Sequence, residues 1–162
     1  MFFELLSTDE IILNVLSTAK NEGNKLLEHF YISYPNNKVA EESNSIFIAC
    51  VNSEHNLEGY DFTTFTDLVE ILIVTKRRDY KEAVTIIKTV SREICKLLLE
   101  NSNKFPNKPI IRNINPEFNR DYVLTRGHIM VQVKTEPMDF DVTDDEVNIC
   151  HILLNNEEIN VD

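Results

Sequence analysis

The densest chemistry in this chain is the run Asp139-Phe140-Asp141-Val142-Thr143-Asp144-Asp145-Glu146. A calcium loop takes oxygen ligands from alternate positions. Counting Asp139 as the first position, ligand types fall at the first, third and fifth. The sixth position is then Asp144, where the sharp turn wants glycine, and the twelfth is Cys150, where a bidentate Glu is needed. The run fits a solvated acidic linker better than a cation site.

His29, His55, His128 and His151 show no metal-ligand spacing and no His-Glu-x-x-His helix. Cys50, Cys95 and Cys150 stand singly in apolar surroundings, an odd number without paired spacing. That argues against a disulfide framework or a zinc site and predicts three buried thiols. Cys150 and His151 are adjacent in a predicted strand, so their side chains point to opposite faces. No glycine-rich phosphate loop and no Gly-x-Ser-x-Gly elbow occurs. These residues predict no catalytic group, no cofactor and no metal; an enzyme would need a site scattered across loops, which the sequence does not display. The remaining polar cluster is Lys76-Arg77-Arg78, placed where a helix begins. The helix dipole prefers anions there, so the cluster reads either as a contact for an acidic surface or as a solvent-facing turn.

The elements that would carry these groups follow from periodicity. Ser7 and Glu10 stand at capping-box spacing. Ile11, Ile12, Val15, Leu16, Ala19, Leu26, Leu27 and Phe30 then continue one helix face, weakened by Gly23, to an end before Pro35. Ser45 to Asn52 is short, apolar and β-branched, a buried strand. Ser53 to Asp61 reads as its polar connection. Phe65 to Lys76 is the clearest strand, with Val69, Ile71 and Ile73 on one face and Leu68, Leu72 and Val74 on the other. Apolar residues on both faces place it near the middle of a sheet. Glu70 is expected over an edge, a subunit contact or solvent. Asp79 and Glu82 then open a long helix with a stripe at Ala83, Ile86, Ile87, Val90, Ile94, Leu97 and Leu98. Ile110 to Ile114 and Tyr122 to Thr135 follow as strands. The predicted fold is α+β, in the order α-β-β-α-β-β. A mixed or antiparallel sheet of about four to five strands carries the long helix across it, beside the N-terminal helix. Residues 1–136 form one domain. Residues 137–162 form an acidic extension that adds at most one strand or arm, 147–154.

With 162 residues and 43% hydrophobic content, the chain can bury a core without staples. Its apolar runs are too short for a membrane span, and Met1-Phe2-Phe3-Glu4 lacks a secretory pattern, so a chain that stays in the cytoplasm, with no membrane partner, is expected. A net charge of -11 disfavours a nucleic-acid binder. The basic residues concentrate between Lys76 and Lys134, whereas residues 136–162 carry carboxylates and no Lys or Arg. Such separation suits head-to-tail pairing of copies, or simply a solvated surface.

The strand Asp67 to Thr75, the opening Asp79-Tyr80-Lys81-Glu82-Ala83 of a long helix and the late strand Gly127 to Val133 together resemble the tail terminator (tail completion) proteins of long-tailed bacteriophages. In that family such a strand leads into a D-Y-x-x-A helix lying across the sheet. The resemblance spans Ser45 to Lys134, and the acidic extension exceeds what the simplest members need. It implies a non-catalytic structural virion protein, assembled in the host cytoplasm. It would form a ring, usually of six subunits, that caps the tail tube and joins it to the head connector. DNA would be passing cargo only. Lys76, Arg77, Arg78, Asp144, Asp145 and Glu146 are the expected subunit or partner contact residues, because the basic middle and the acidic tail could serve head-to-tail contacts. The alternative is a small cytoplasmic α/β binding or regulatory module without catalytic activity.

Overall fold

The computed structural model describes residues 6–35, 44–57, 63–112, 119–121 and 123–135. Helix α1 spans Thr8–Asn21. Ser7 flanks it in an extended conformation, and the Glu10 carboxylate accepts from the Ser7 N–H at 2.9 Å, the contact that the spacing predicts. The helix stops earlier than its apolar pattern suggests. Gly23 adopts φ 91°, the Gly23 N–H donates to the Lys20 carbonyl, and the Asn24 N–H donates to the Ala19 carbonyl. This is a Schellman motif, which satisfies the last carbonyls and reverses the chain, so Gly23 ends α1 rather than weakening its middle. Leu27 and Phe30 still reach the core, but from a turn.

That turn leads into β1 (Tyr31–Ser33), a strand where the apolar pattern predicts helix. β1 lies parallel to β2 (Ser45–Leu57), with Tyr31 opposite Ser45. β2 runs antiparallel to β3 (Thr63–Lys76), with a bulge between Cys50 and Asn52. The segment read as a polar connection thus belongs in part to the strand. Past β3 comes α2 (Tyr80–Glu100), then a 3-10 turn at Ser102–Lys104. β4 (Ile110–Arg112) and β5 (Asn119–Asp121) follow, and β6 (Leu124–Thr135) is the last described element. The sheet order is β1-β2-β3-β6-β4, with β5 also against β6. β1–β2 is the parallel pair, so the fold is α+β with a mixed sheet, and β3 sits at its centre.

The alternation of β3 explains how the layers stack. Val69, Ile71 and Ile73 point to one face and are wholly buried. Beside them lie Ile46 and Ile48 of β2 and Ile129 and Val131 of β6, in matching register. Both helices cover this face. Ile12, Val15 and Leu16 of α1 and Ile87, Val90, Ile94 and Leu98 of α2 close the main core. Each large side chain so buried contributes about 1.5–3 kcal/mol before ordering costs. Asp79 caps α2 by accepting from the Lys81 N–H at 3.0 Å. Glu82 does not complete a box; it faces Arg77 instead.

The other face carries Leu68, Glu70, Leu72 and Val74 of β3. A small cluster of Phe47, Val74 and Leu124, with Leu72 packed against it, buries one end. Among the described residues no helix covers the rest, where Leu68, Glu70 and Met130 are half-buried.

Candidate functional site

The Schellman turn decides where the chain's basic groups gather. After it, the Asn24 side chain accepts from the Leu26 N–H at 3.0 Å and donates to Glu93 of α2, also at 3.0 Å. The segment is thereby tied against α2, with Leu27 and Phe30 turned inward and Lys25, Leu26 and His29 outward. Asn44 supplies the adjoining wall. Its side-chain oxygen accepts from the Thr75 hydroxyl at 2.9 Å and from the Lys76 N–H at 3.1 Å, and its carbonyl accepts from the Tyr31 N–H at 3.1 Å. One residue thus locks the starts of β1 and β2 to the end of β3.

Between these walls and the first turns of α2 lies an open cleft of about 230 Å³. Leu26, Phe30, Ile86 and Val90 make it apolar, while Lys25, His29 and Arg77 contribute the basic groups. Thr85 and Thr89 also line it, but their hydroxyls donate back to the Lys81 and Thr85 carbonyls at 2.9 and 2.8 Å. Arg77 is held by its own surroundings: its guanidinium donates to the Lys76 carbonyl at 2.9 Å and its Nε lies 3.5 Å from Glu82. An apolar recess with three basic side chains suits a ligand with an apolar anchor and adjacent negative charge.

Of the predicted contact residues, Arg77 lines this cleft, whereas Lys76 and Arg78 are exposed beside it without lining it. Asp144, Asp145 and Glu146 lie outside the described residues, as do the acidic run and the 147–154 strand. Lys25, Leu26 and His29 were not anticipated. The signal that finds them is Gly23 read as a helix terminator, which folds the following residues back on α2.

A second polar arrangement sits on the open sheet face. Glu70 is not at an edge: it occupies the central strand, half-buried, with its carboxylate against Nδ1 of His128 on β6. Register places Ala49 and Met130 directly across from Glu70 and Leu72 across from His128. These register neighbours include no nucleophile. On the helix face, Asp67 accepts from the Thr8 and Ser53 hydroxyls, each at 2.7 Å, which pins the start of α1 to β2 and β3.

The cysteines depart from the prediction of three buried thiols. Cys50 is exposed at the β2 bulge and Cys95 half-buried on α2, while Cys150 lies outside the described residues. The Cys50 thiol is pushed above its ordinary pKa by partial desolvation and then by Asp67 and Asp9; its contact with the Asn52 carbonyl acts the other way. Burial likewise raises Cys95. Neither is an activated nucleophile, since activation requires a lowered pKa. Among the described residues no group of three or more His, Cys, Asp or Glu could hold a metal ion, and no helix is long and apolar enough to cross a membrane. The chain matches no model of a known protein family and no curated protein.

Proposed function

We propose that this chain is a structural protein of a long-tailed phage, a tail terminator. In this reading copies form a ring, probed first as a hexamer, that caps the tail tube and joins it to the head connector while DNA passes through. Assembly takes place in the host cytoplasm and the product resides in the virion. The supporting observation is the central strand β3 passing through Arg77-Arg78 into a helix capped by Asp79 that lies across the sheet. That is the arrangement the family resemblance implies. A sheet with both described helices on one face also leaves surface for neighbouring subunits.

Light scattering on the full chain, followed by electron microscopy with and without tail-tube protein, tests the reading. The expected result is a ring-sized oligomer that sits on tube ends and arrests their growth. A monomer at all concentrations that never associates with tube ends would overturn it. The cleft between the Lys25–Phe30 turn and α2 favours a second reading, a monomeric binding module without catalytic activity. The same mass measurement separates the two.

A further inference from the structure

The two ends of the sheet differ in what they present. β3 and β6 are antiparallel, with Lys76 opposite Leu124 and Phe65 opposite Thr135. The chain therefore reaches Arg77 and the cleft at one end, and leaves β6 after Thr135 at the other. At ~3.3 Å per residue, the stretch of β3 from Phe65 to Lys76 is about 36 Å long.

Residues 136–162 lie outside the described set, yet covalent geometry bounds their reach. Phe140 is five residues beyond Thr135, so it extends at most about 18 Å from it. That is about half the length of β3, so within one chain Phe140 does not reach Arg77 at the far end. Glu146 would arrive there only at full extension.

The segment nevertheless complements the cleft in chemistry. Phe140 is flanked by Asp139 and Asp141. The cleft offers an apolar recess beside Lys25, His29 and Arg77. A ring entering the recess removes apolar surface from water, and its two neighbouring carboxylates meet cations. Arg77 already faces Glu82, but that pair is exposed and long, so an incoming carboxylate competes on favourable terms.

We infer that this cleft receives the Asp139–Asp141 segment of a second copy of the chain, with Phe140 as the anchor. The chain leaves β6 at the end of the sheet opposite Arg77, and the ring reading requires the non-reciprocal, heterologous form of this contact. It closes into a ring, or continues as a filament, according to the rotation between neighbours. The inference rests on the ring reading and names its subunit contact.

Two full-length variants test it. One carries Lys25→Glu with Arg77→Glu; the other carries Asp139→Lys with Asp141→Lys. Each alone sets like charges against each other, and association measured by light scattering should weaken about tenfold or more. Mixing the two should restore assembly, because every segment then meets a cleft of opposite sign. Circular dichroism confirms that both variants keep the native helix signal. Variants that assemble like the natural chain, or a mixture that fails to recover, overturn the contact while a ring of the natural chain keeps the broader reading intact. A natural chain that stays monomeric overturns both. Independently of those variants, a photo-crosslinker at position 140 in a mixture of ¹⁴N- and ¹⁵N-labelled chains should join different copies, at residues 25–30 or 85–90. Crosslinks confined within single copies overturn the inference.

Discussion

Two faces of one strand have been put to different uses. Val69, Ile71 and Ile73 of β3 are sealed beneath both helices, while Leu68, Glu70 and Leu72, the alternate residues, stay half-buried on the far side. The strand has one backbone and one register, so the contrast comes from what is stacked on it. The covered face gathers aliphatic residues from β2, β6 and both helices into one core. The open face mixes aliphatic side chains with the Glu70–His128 pair, and its buried cluster is confined to Phe47, Val74 and Leu124. Apolar burial is concentrated on the first face and confined to one end of the second.

Truncation on alternate residues tests this contrast most severely. Ile71→Ala should cost about 2–5 kcal/mol in denaturant unfolding, because it empties a site walled by helices and strands. Leu72→Ala, one residue away, should cost well under half as much, since solvent already reaches its side chain. Equal losses would mean that something seals the open face as firmly as the helices seal the other.

The devices that aim the helices at the covered face should come next in size. Gly23→Ala forces a side chain into φ 91°, with nothing within 4 Å of the new methyl group, so its cost is conformational and should be about 1 kcal/mol. Asp79→Ala removes the α2 cap and should cost about 1 kcal/mol, with reduced helicity at the start of α2 by hydrogen exchange. A loss of several kcal/mol at Gly23 would show that the turn after α1 carries tertiary stability as well as direction.

On the open face the Glu70–His128 pair should contribute little. A double-mutant cycle with Glu70→Gln and His128→Gln is expected to give a coupling of about 0–1 kcal/mol, the range of solvent-screened pairs. A larger value would make this face more demanding than its exposure suggests.

The smallest effect marks where the helix cover ends. Cys50 shares the inward side of β2 with Ile46 and Ile48, yet it is exposed. Alkylation should therefore modify Cys50 before Cys95. Both thiols are raised, so each holds less thiolate than a free cysteine at neutral pH, and both rates should keep climbing through the ordinary thiol range. The linked stability has the same sign. The folded chain holds the Cys95 proton more firmly than the unfolded chain does. That contribution is complete below the ordinary thiol pKa and is lost as pH rises through the folded value.

The sequence made β3 and α2 legible because each states its environment locally. β3 is apolar on successive residues, and α2 has a capped start followed by one unbroken stripe. β1 was not legible: three residues pair in parallel with a strand that begins only at Ser45, and nothing in Tyr31-Ile32-Ser33 announces that partner. The far half of β2 was hidden because Val51 to Glu54 are exposed there and carry none of the expected apolar alternation. For the candidate site, Arg77 could be read from its place at a helix start. Lys25 and His29 could not, since a glycine within an apolar pattern reads equally as a weak helix interior or as a stop. The resolving fact is the hydrogen bond from Asn24 back to Ala19.

The place of β3 between β2 and β6 also governs how the chain emerges during synthesis. β2 precedes β3, but β6 follows only after α2, β4 and β5. At about 5–20 residues per second, the roughly 50 residues between Lys76 and Leu124 occupy the ribosome for about 3–10 s. Until β6 is made, one edge of β3 has no partner, a condition that invites pairing with foreign chains once the strand has cleared the ribosome. α2 is made directly after β3 and can shield its inward row of Val69, Ile71 and Ile73, but a helix cannot satisfy the hydrogen bonds of a strand edge. Protection of the nascent chain is thus divided in time: the helix first hides the apolar surface, and the final strand later closes the backbone.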